Sequence, residues 1–178
     1  MANNGQYEYE ILPEEGNAIA VTLLRAVGEM GDWGVFPTPD AQIQRKCTSS
    51  LEIIPYNPAD GEADPITEAY QFQVPAQSCQ IPVQKGSLPL KHSYLDWEGQ
   101  GLYLSGMKKS NSGEDTIVRW FNGRNKECLL EIRKSKSIGY YKSNVIEEHL
   151  EDLEAEENVI KIKVKPYEIV TVGMRRVI

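Results

Sequence analysis

The sequence predicts an all-β protein, an antiparallel β-sandwich, and three observations support this fold class. Apolar and polar residues alternate with a period of two through much of the second half, as they do in strands with one buried face. Turn sequences containing glycine and asparagine separate these segments at intervals of about 8–12 residues, a spacing typical of sandwiches and barrels. The first half contains a near-continuous apolar run, NAIAVTLLRAV, which is typical of a strand buried on both faces.

The second half contains five alternating segments, GLYLSGM, DTIVRWFN, ECLLEIR, VIKIKVK and, after Pro166, YEIVTVGM. The residues expected to share a face are Leu102 with Leu104, Val118 with Trp120, Ile117 with Phe121, Cys128 with Leu130 and Ile132, and Ile160 with Ile162 and Val164. Lys161, Lys163 and Lys165 would face water, as in an edge strand that resists pairing with other chains. The segments KSNSGED (109–115) and NGRN (122–125) supply turns between consecutive strands.

One segment of the second half does not alternate. SNVIEEHLEDLEAEEN (143–158) carries Ile146, Leu150 and Leu153 at helical spacing behind a potential cap at Ser143 or Asn144. It predicts either a helix or a short strand followed by an acidic connection.

The first half is less regular. QYEYEILPEEGNAIAVTLLRAV predicts a hairpin, and burial of its second strand on both faces requires a larger stack of sheets than this half can easily supply. TSSLEIIPYN predicts another strand and DGEAD a turn. PITEAYQFQV predicts either a short helix or a strand that begins at Pro65.

Charge and proline content divide the chain. Residues 1–90 hold four basic and twelve acidic side chains, whereas residues 91–178 hold fifteen and fourteen. Residues 74–93, VPAQSCQIPVQKGSLPLKHS, contain three prolines and few charges, as expected of a crossing between packed units. We therefore expect two units, 1–90 and 91–178.

Composition limits the partners. The chain has 178 residues, a net charge of −7 and a pI near 5.0, so it has no basic field to attract nucleic acid or an anionic membrane surface. No apolar run approaches the roughly 18 residues that would span a bilayer, and MANNGQYEYE has no signal-peptide pattern. Cys47, Cys79 and Cys128 are widely spaced and are expected to be reduced and structural, which favours a cytoplasmic location.

Catalytic signatures are scarce. The sequence contains no nucleophile elbow, zinc-protease motif or phosphate-binding glycine loop. The carboxylate pairs Glu14–Glu15 and Glu147–Glu148 are typical of solvated turns and polar faces rather than of glycosidase pairs. The two histidines, His92 and His149, have no second metal ligand at helical or hairpin spacing, which favours surface or packing roles and predicts no metal site in this chain.

Aromatic side chains offer a route to sugar binding. Trp33, Trp97 and Trp120 could form a stacking platform, although Trp120 alternates with Val118 and is therefore expected in the core. The loop VGEMGDWGVFPTPDAQ (27–42) is unusual because it keeps Met30, Trp33, Val35 and Phe36 among glycines and prolines, where loops are usually polar.

Longer stretches carry a resemblance to a known family. YEYEILPEEGNAIAVTLLRAVGEMGDWGVFPTPDAQ, then WEGQGLYLSGMKKSNSGEDTIVRWFNGRNKECLLEI, then VKPYEIVTV follow one another along nearly the whole chain. In this order they resemble the C-terminal region of the family 38 glycoside hydrolases, the α-mannosidases. The loop GEMGDWGVFPTPDAQ is similar to the bacterial branch rather than to the animal lysosomal and Golgi branch, which has an arginine-rich, acidic stretch there.

The resemblance implies a supporting role for this chain. Such enzymes are retaining and zinc-dependent, with the zinc and a nucleophilic aspartate in an N-terminal α/β domain, followed by helices, a large β-sandwich and a small terminal β-sandwich. Residues 1–90 would be the closing strands of the large sandwich and 91–178 the small one. The partners would be the catalytic and helical domains of the same polypeptide and an α-mannoside substrate, and the chain alone would be inactive, with no catalytic residue and no metal of its own.

The resemblance also suggests what the 27–42 loop faces. In the family the loop after this strand turns toward the catalytic domain, so Asp32 and Trp33 are the candidate substrate-binding residues. The alternative for the loop is that it folds back on its own sandwich. The alternative for the whole chain is a stand-alone carbohydrate-binding β-sandwich that uses Trp33 or Trp97 as a stacking surface.

Overall fold

The computed structural model describes residues 1–31, 34–42, 44–57 and 64–177, and the chain forms two compact units, Met1–Pro82 and Val83–Ile178. The strands of the first unit are β1 (Ala2–Asn3), β2 (Tyr9–Leu12), β3 (Ala18–Val21), β4 (Glu29–Met30), β5 (Phe36–Pro37) and β6 (Leu51–Glu52), and its helix is α1 (Pro65–Gln73). The strands of the second unit are β7 (Trp97–Glu98), β8 (Leu102–Lys109), β9 (Thr116–Asn122), β10 (Cys128–Arg133), β11 (Ile138–Ser143), β12 (His149–Leu153), β13 (Val159–Val164) and β14 (Ile169–Arg176). Short 3-10 turns lie at Pro13–Glu15 and Pro39–Ala41. The predicted all-β class is confirmed.

The second unit is an antiparallel sandwich of two sheets. One sheet has the strand order β12-β11-β14-β9-β8, and the other has the order β13-β10-β7. Both sheets contribute side chains to one buried cluster, whose members include Val118, Trp120, Leu130, Ile132, Ile160, Val164 and Val172. Alternation along each strand places these residues on the inner faces, because successive side chains of a strand point to opposite sides.

The predicted core faces are largely confirmed. Cys128, Leu130 and Ile132 on β10 join the buried cluster together, as do Ile160, Ile162 and Val164 on β13. The lysine-rich strand β13 forms an edge of the three-stranded sheet, as its composition predicts.

Leu104 departs from the prediction. It is 38% exposed, whereas Leu102 is buried. The register of β8 against β9 shifts between Leu104 and Gly106, so the edge strand carries an irregularity there. Such bulges bend an edge strand locally, and this one ends the buried face of β8 after its first residues.

The helical alternative for residues 143–158 is wrong, and the strand alternative is confirmed. β11 ends at Ser143 and β12 spans His149–Leu153. The Asn144 side chain accepts hydrogen bonds from the backbone N–H groups of Ile146 and Glu148, at 3.1 and 2.9 Å. Asparagine side chains that bond to nearby backbone in this way favour a turn over a helix.

The first unit consists of two-stranded pairs and one helix. β2 and β3 form the predicted hairpin. Of TSSLEIIPYN only Leu51–Glu52 is a strand, and it pairs with β1. PITEAYQFQ is the helix α1, because the Asp64 side chain caps it by accepting from the N–H groups of Ile66 and Thr67. The predicted DGEAD turn lies outside the described residues except for Asp64.

Burial of the apolar run NAIAVTLLRAV on both faces is not observed. Ile19 is 55% exposed, Leu23 58% and Leu24 61%. Ala2 is the single buried residue among those described in the first unit. These strands are apolar enough to be buried, but the described part of their own unit provides no second layer to cover them.

Candidate functional site

The two residues predicted to bind substrate, Asp32 and Trp33, lie outside the described residues, and their role stays a prediction. The segments on either side form a short antiparallel pair in which Met30 lies opposite Phe36. Thr38 closes the base of this pair, because its N–H donates to Gly28 at 2.9 Å and its hydroxyl donates to the carbonyl of Val27 at 2.6 Å.

The apolar side chains of this loop are open to solvent. Met30 is 56% exposed, Val35 71% and Phe36 57%. A loop folded back on its own sandwich would have these side chains covered. The described part of the first unit does not cover them.

The β2–β3 hairpin presents a second apolar surface. Tyr9 lies opposite Val21 and Ile11 lies opposite Ile19, so these four side chains share one face of the hairpin, here called the hairpin face. Tyr9, Ile11 and Ile19 remain 72%, 55% and 55% exposed. Isolated two-stranded hairpins are at best marginally stable in water, and contiguous exposed apolar patches mark interaction surfaces.

The second unit holds a buried carboxylate that the sequence did not reveal. Asp115 is 8% exposed and accepts a hydrogen bond from the Tyr141 hydroxyl at 2.8 Å. Arg175 donates to the same oxygen of Asp115 from Nε and Nη2, both at 3.3 Å, and its guanidinium lies 5.2 Å from the centre of the Tyr141 ring. Burial, followed by the hydrogen bond to Asp115, raises the pKa of Tyr141 above its ordinary value of 10.0.

This cluster is a clamp rather than a reactive centre. Tyr141 is protonated at neutral pH, since its pKa lies above an ordinary value of 10.0 that is itself far above neutrality, and its hydroxyl donates to Asp115. The guanidinium of Arg175 balances the charge of the carboxylate. Asp115 gave a weak sequence signal because it only ends the polar turn KSNSGED, and Arg175 lies 60 residues further along the chain.

The histidines make ring contacts. His149 packs on Tyr141 with ring centres 4.9 Å apart and lies 2.9 Å from Asp152, and His92 meets the edge of Tyr94 at 4.8 Å. Within the described ranges, no group of three or more His, Cys, Asp or Glu side chains is arranged to hold a metal ion.

The cysteines are free thiols. Cys128 is buried in the core, as a structural cysteine would be, whereas Cys47 and Cys79 are exposed. The expectation of a packing role is therefore wrong for these two, because they lie in irregular segments that bury little surface.

The tryptophans of the second unit pack against each other. Trp120 is fully buried, which confirms its predicted place in the core. Trp97 packs against it in an edge-on arrangement with ring centres 5.7 Å apart and is itself partly buried.

The fold agrees with a known domain. Residues 101–172, from the start of β8 into β14, match the family described as the glycosyl hydrolases family 38 C-terminal beta sandwich domain. Residues 101–172 form a C-terminal β-sandwich domain of glycoside hydrolase family 38. This confirms the resemblance seen in the sequence.

Similarity to a known protein extends beyond that domain. A protein of Halalkalibacterium halodurans named "Putative mannosylglycerate hydrolase" is 36% identical over 171 residues, which cover 96% of this chain. The chain spans 18% of the length of that relative. The similarity therefore includes the first unit, with its exposed hairpin face and the 27–42 loop.

No helix in the described part of the chain is long and apolar enough to cross a membrane.

Proposed function

We propose that this chain is the C-terminal β-sandwich region of a retaining, zinc-dependent glycoside hydrolase that acts on α-mannosides. The family 38 domain at residues 101–172 supports the enzyme class, and the name of the relative suggests α-mannosylglycerate as the first substrate to test. In this proposal the nucleophile, the zinc and the general acid lie in polypeptide that precedes residue 1 in the full-length enzyme, which is cytoplasmic. The described residues offer no metal-ligand set, so we assign them no catalytic step through zinc.

The observation that carries the supporting role proposed for this chain is the exposed apolar surface of the first unit. Tyr9, Ile11 and Ile19 are each more than half exposed on the hairpin face, although the chain aligns almost completely with a much longer hydrolase. Full burial of a large apolar side chain contributes roughly 1.5–3 kcal/mol. Covering this face would therefore contribute several kcal/mol to docking, as expected if residues 1–90 close the large sandwich and 91–178 form the small one.

The 27–42 loop is proposed to reach the sugar. An aspartate can accept hydrogen bonds from sugar hydroxyls, and an indole ring can stack on the apolar face of a pyranose, so Asp32 and Trp33 are the proposed substrate-binding residues. The exposed Met30, Val35 and Phe36 would contact the preceding domain beside the sugar. The chain itself would supply shape and binding surface, and no covalent step.

The test is a chimera. The segment of the Halalkalibacterium halodurans relative that aligns with this chain is replaced by residues 1–178, and hydrolysis of α-mannosylglycerate and of an aryl α-mannoside is measured. We expect the chimera to turn over at least one of the two and the 178-residue chain alone to turn over neither. Turnover by the chain alone would contradict the proposal. Saturable binding of mannosides to the chain alone, measured by calorimetry, would instead support the stand-alone carbohydrate-binding module.

The same chimera tests the loop. Asp32→Asn combined with Trp33→Ala is expected to lower kcat/KM by about tenfold or more. The loss of one hydrogen bond to a charged group is by itself enough to weaken transition-state binding by about that factor. The matched control is Asp40→Asn, which removes another carboxylate from the same loop. Unchanged kcat/KM in the double variant would remove both residues from the substrate site.

A further inference from the structure

The connection between β11 and β12, residues 144–148, bonds to strands on the far side of its sheet. We call this segment the strap. The Arg119 side chain on β9 donates from Nη2 to the carbonyl of Val145 at 2.9 Å. The Glu147 carboxylate accepts from the backbone N–H of Asn111 at 2.6 Å and forms an ion pair with Lys108 on β8.

The strap crosses the outer face of the five-stranded sheet. β11 and β12 lie at one edge and β8 at the other, with β14 and β9 between them. Neighbouring strands are about 4.8 Å apart, so the contacts between the strap and β8 bridge roughly 14 Å measured from β11. Beneath the strap Arg119 also donates from Nε to the hydroxyl of Thr171 on β14, at 3.1 Å.

The strap is also held by hydrogen bonds within itself. Asn144 accepts from two backbone N–H groups of the strap and donates from its amide to the Glu148 carboxylate at 2.7 Å. Glu147 has a φ of +70°, a conformation that glutamate rarely adopts and that its surroundings must hold in place. Its side chain is 8% exposed. The N–H of Glu147 also donates to the carbonyl of Asn144 at 3.1 Å, so contacts inside and outside the strap together hold Glu147 in this position.

We propose that the strap is an electrostatic latch in which the charge of Glu147 holds residues 144–148 across the sheet. Loss of that charge, or of Lys108, releases the strap, frees Arg119 and loosens the β8 edge. The latch is independent of the function proposed above, because it uses no residue of the first unit.

The charges around Glu147 set the direction of its response to pH. Lys108 on β8 and Arg119 on β9 are the cations that face it, and the turn after β8 adds the N–H of Asn111. The Lys108 contact first, and the Asn111 bond second, lower the pKa of Glu147 below its ordinary value of 4.5. A lowered folded-state pKa means that the latch is fully closed above that ordinary value and opens as pH falls through the lowered one.

Amide hydrogen exchange followed by NMR on the full chain tests the latch. The decisive variant is Lys108→Met, which changes a half-exposed side chain that is no part of the core. It keeps the carboxylate that accepts from the Asn111 N–H, and it removes the Lys108 contacts with Glu147 and with the Asn111 side-chain oxygen. We expect exchange at Asn111 to become about tenfold faster, as loss of a charge-assisted contact predicts, with β10 and β13 amides unchanged. Glu147→Ala should also accelerate amide exchange at the β8 edge.

The matched control is Glu151→Ala, which removes an exposed carboxylate of β12 and should leave Asn111 protected. If Glu147→Ala perturbs the whole sandwich, faster β10 and β13 exchange will reveal it, and Lys108→Met then decides alone. Unchanged exchange at Asn111 in Lys108→Met would overturn the latch.

Discussion

Replacing Leu130 by alanine removes a side chain from the centre of the sandwich. Leu130 lies on β10, opposite Ile162 of β13, and is fully buried. The substitution deletes three carbon groups at about 0.8 kcal/mol each and leaves a cavity, so we expect the free energy of unfolding to fall by about 3–4 kcal/mol.

The neighbouring residue provides the control. Leu129 carries the same side chain on the same strand but points to the outer face and is 43% exposed. Leu129→Ala loses only part of the transfer energy and opens no closed cavity, so a loss of about 1 kcal/mol or less is expected. Chemical denaturation, followed by near-ultraviolet circular dichroism of the packed Trp97–Trp120 pair, measures both variants. Equal losses, or a larger loss for Leu129→Ala, would refute the inner and outer faces described for β10.

Three further substitutions and one control substitution test the second unit. Gly173→Ala places a Cβ 2.0 Å from the Tyr141 ring and should lower the thermal midpoint strongly. Its control, Gly106→Ala, has open space around the new Cβ and should change the thermal midpoint little. Equal shifts in the two variants would contradict the close packing of Gly173 against Tyr141. Tyr141→Phe removes a hydrogen bond to the buried Asp115 and should lower the free energy of unfolding by about 1–3 kcal/mol. Because the folded-state pKa of Tyr141 is raised, the wild type should lose stability as pH rises beyond 10.0, and the phenylalanine variant should lose less over that range; identical pH profiles would argue against this account. The Asn122 amide donates to three backbone carbonyls, and Asn122→Asp replaces it with a carboxylate that those carbonyls repel. Chemical denaturation should show the free energy of unfolding falling by about 2–5 kcal/mol. A variant as stable as the wild type would show that these hydrogen bonds do not stabilise the fold.

Five strands of the second unit, β8, β9, β10, β13 and β14, were predictable because each carries its own alternation, whereas β7 and β11 were not among the predicted segments. In VIKIKVK the alternation alone sets which side chains are buried, and the lysines mark the strand as an edge. Alternation fails at Leu104, because the bulge before Gly106 depends on how β8 meets β9. It fails also at residues 143–158, where Ile146, Leu150 and Leu153 have helical spacing although the hydrogen bonds of Asn144 and pairing with β11 produce a turn and a strand.

The polar contacts of the second unit could not be read from the sequence. Asp115 and Arg175 are far apart along the chain and meet only because β9 and β14 are neighbours in the sheet. Glu147 was expected in solvent, since pairs of glutamates are usually hydrated. Its burial depends on the strap reaching Lys108 across the sheet, a relation that local patterns do not encode.

The first unit presents the opposite case. Its apolar pattern correctly predicts the β2–β3 hairpin, but the predicted burial is absent from the described residues. Hydrophobic patterning shows that a strand is suited to burial, and the surface that buries it can lie outside the 178-residue chain. The assignment of residues 1–90 and 91–178 to two sandwiches of a larger enzyme stays a prediction.

The most direct measurement is hydrogen exchange by mass spectrometry on peptides covering residues 9–21, in the 178-residue chain and in the chimeric hydrolase. We predict fast exchange of the β2–β3 hairpin in the chain alone and strong protection in an active chimera, because the preceding sheet would cover Tyr9, Ile11 and Ile19. Equal protection in both proteins would contradict the account, since the hairpin would then need no partner beyond this chain.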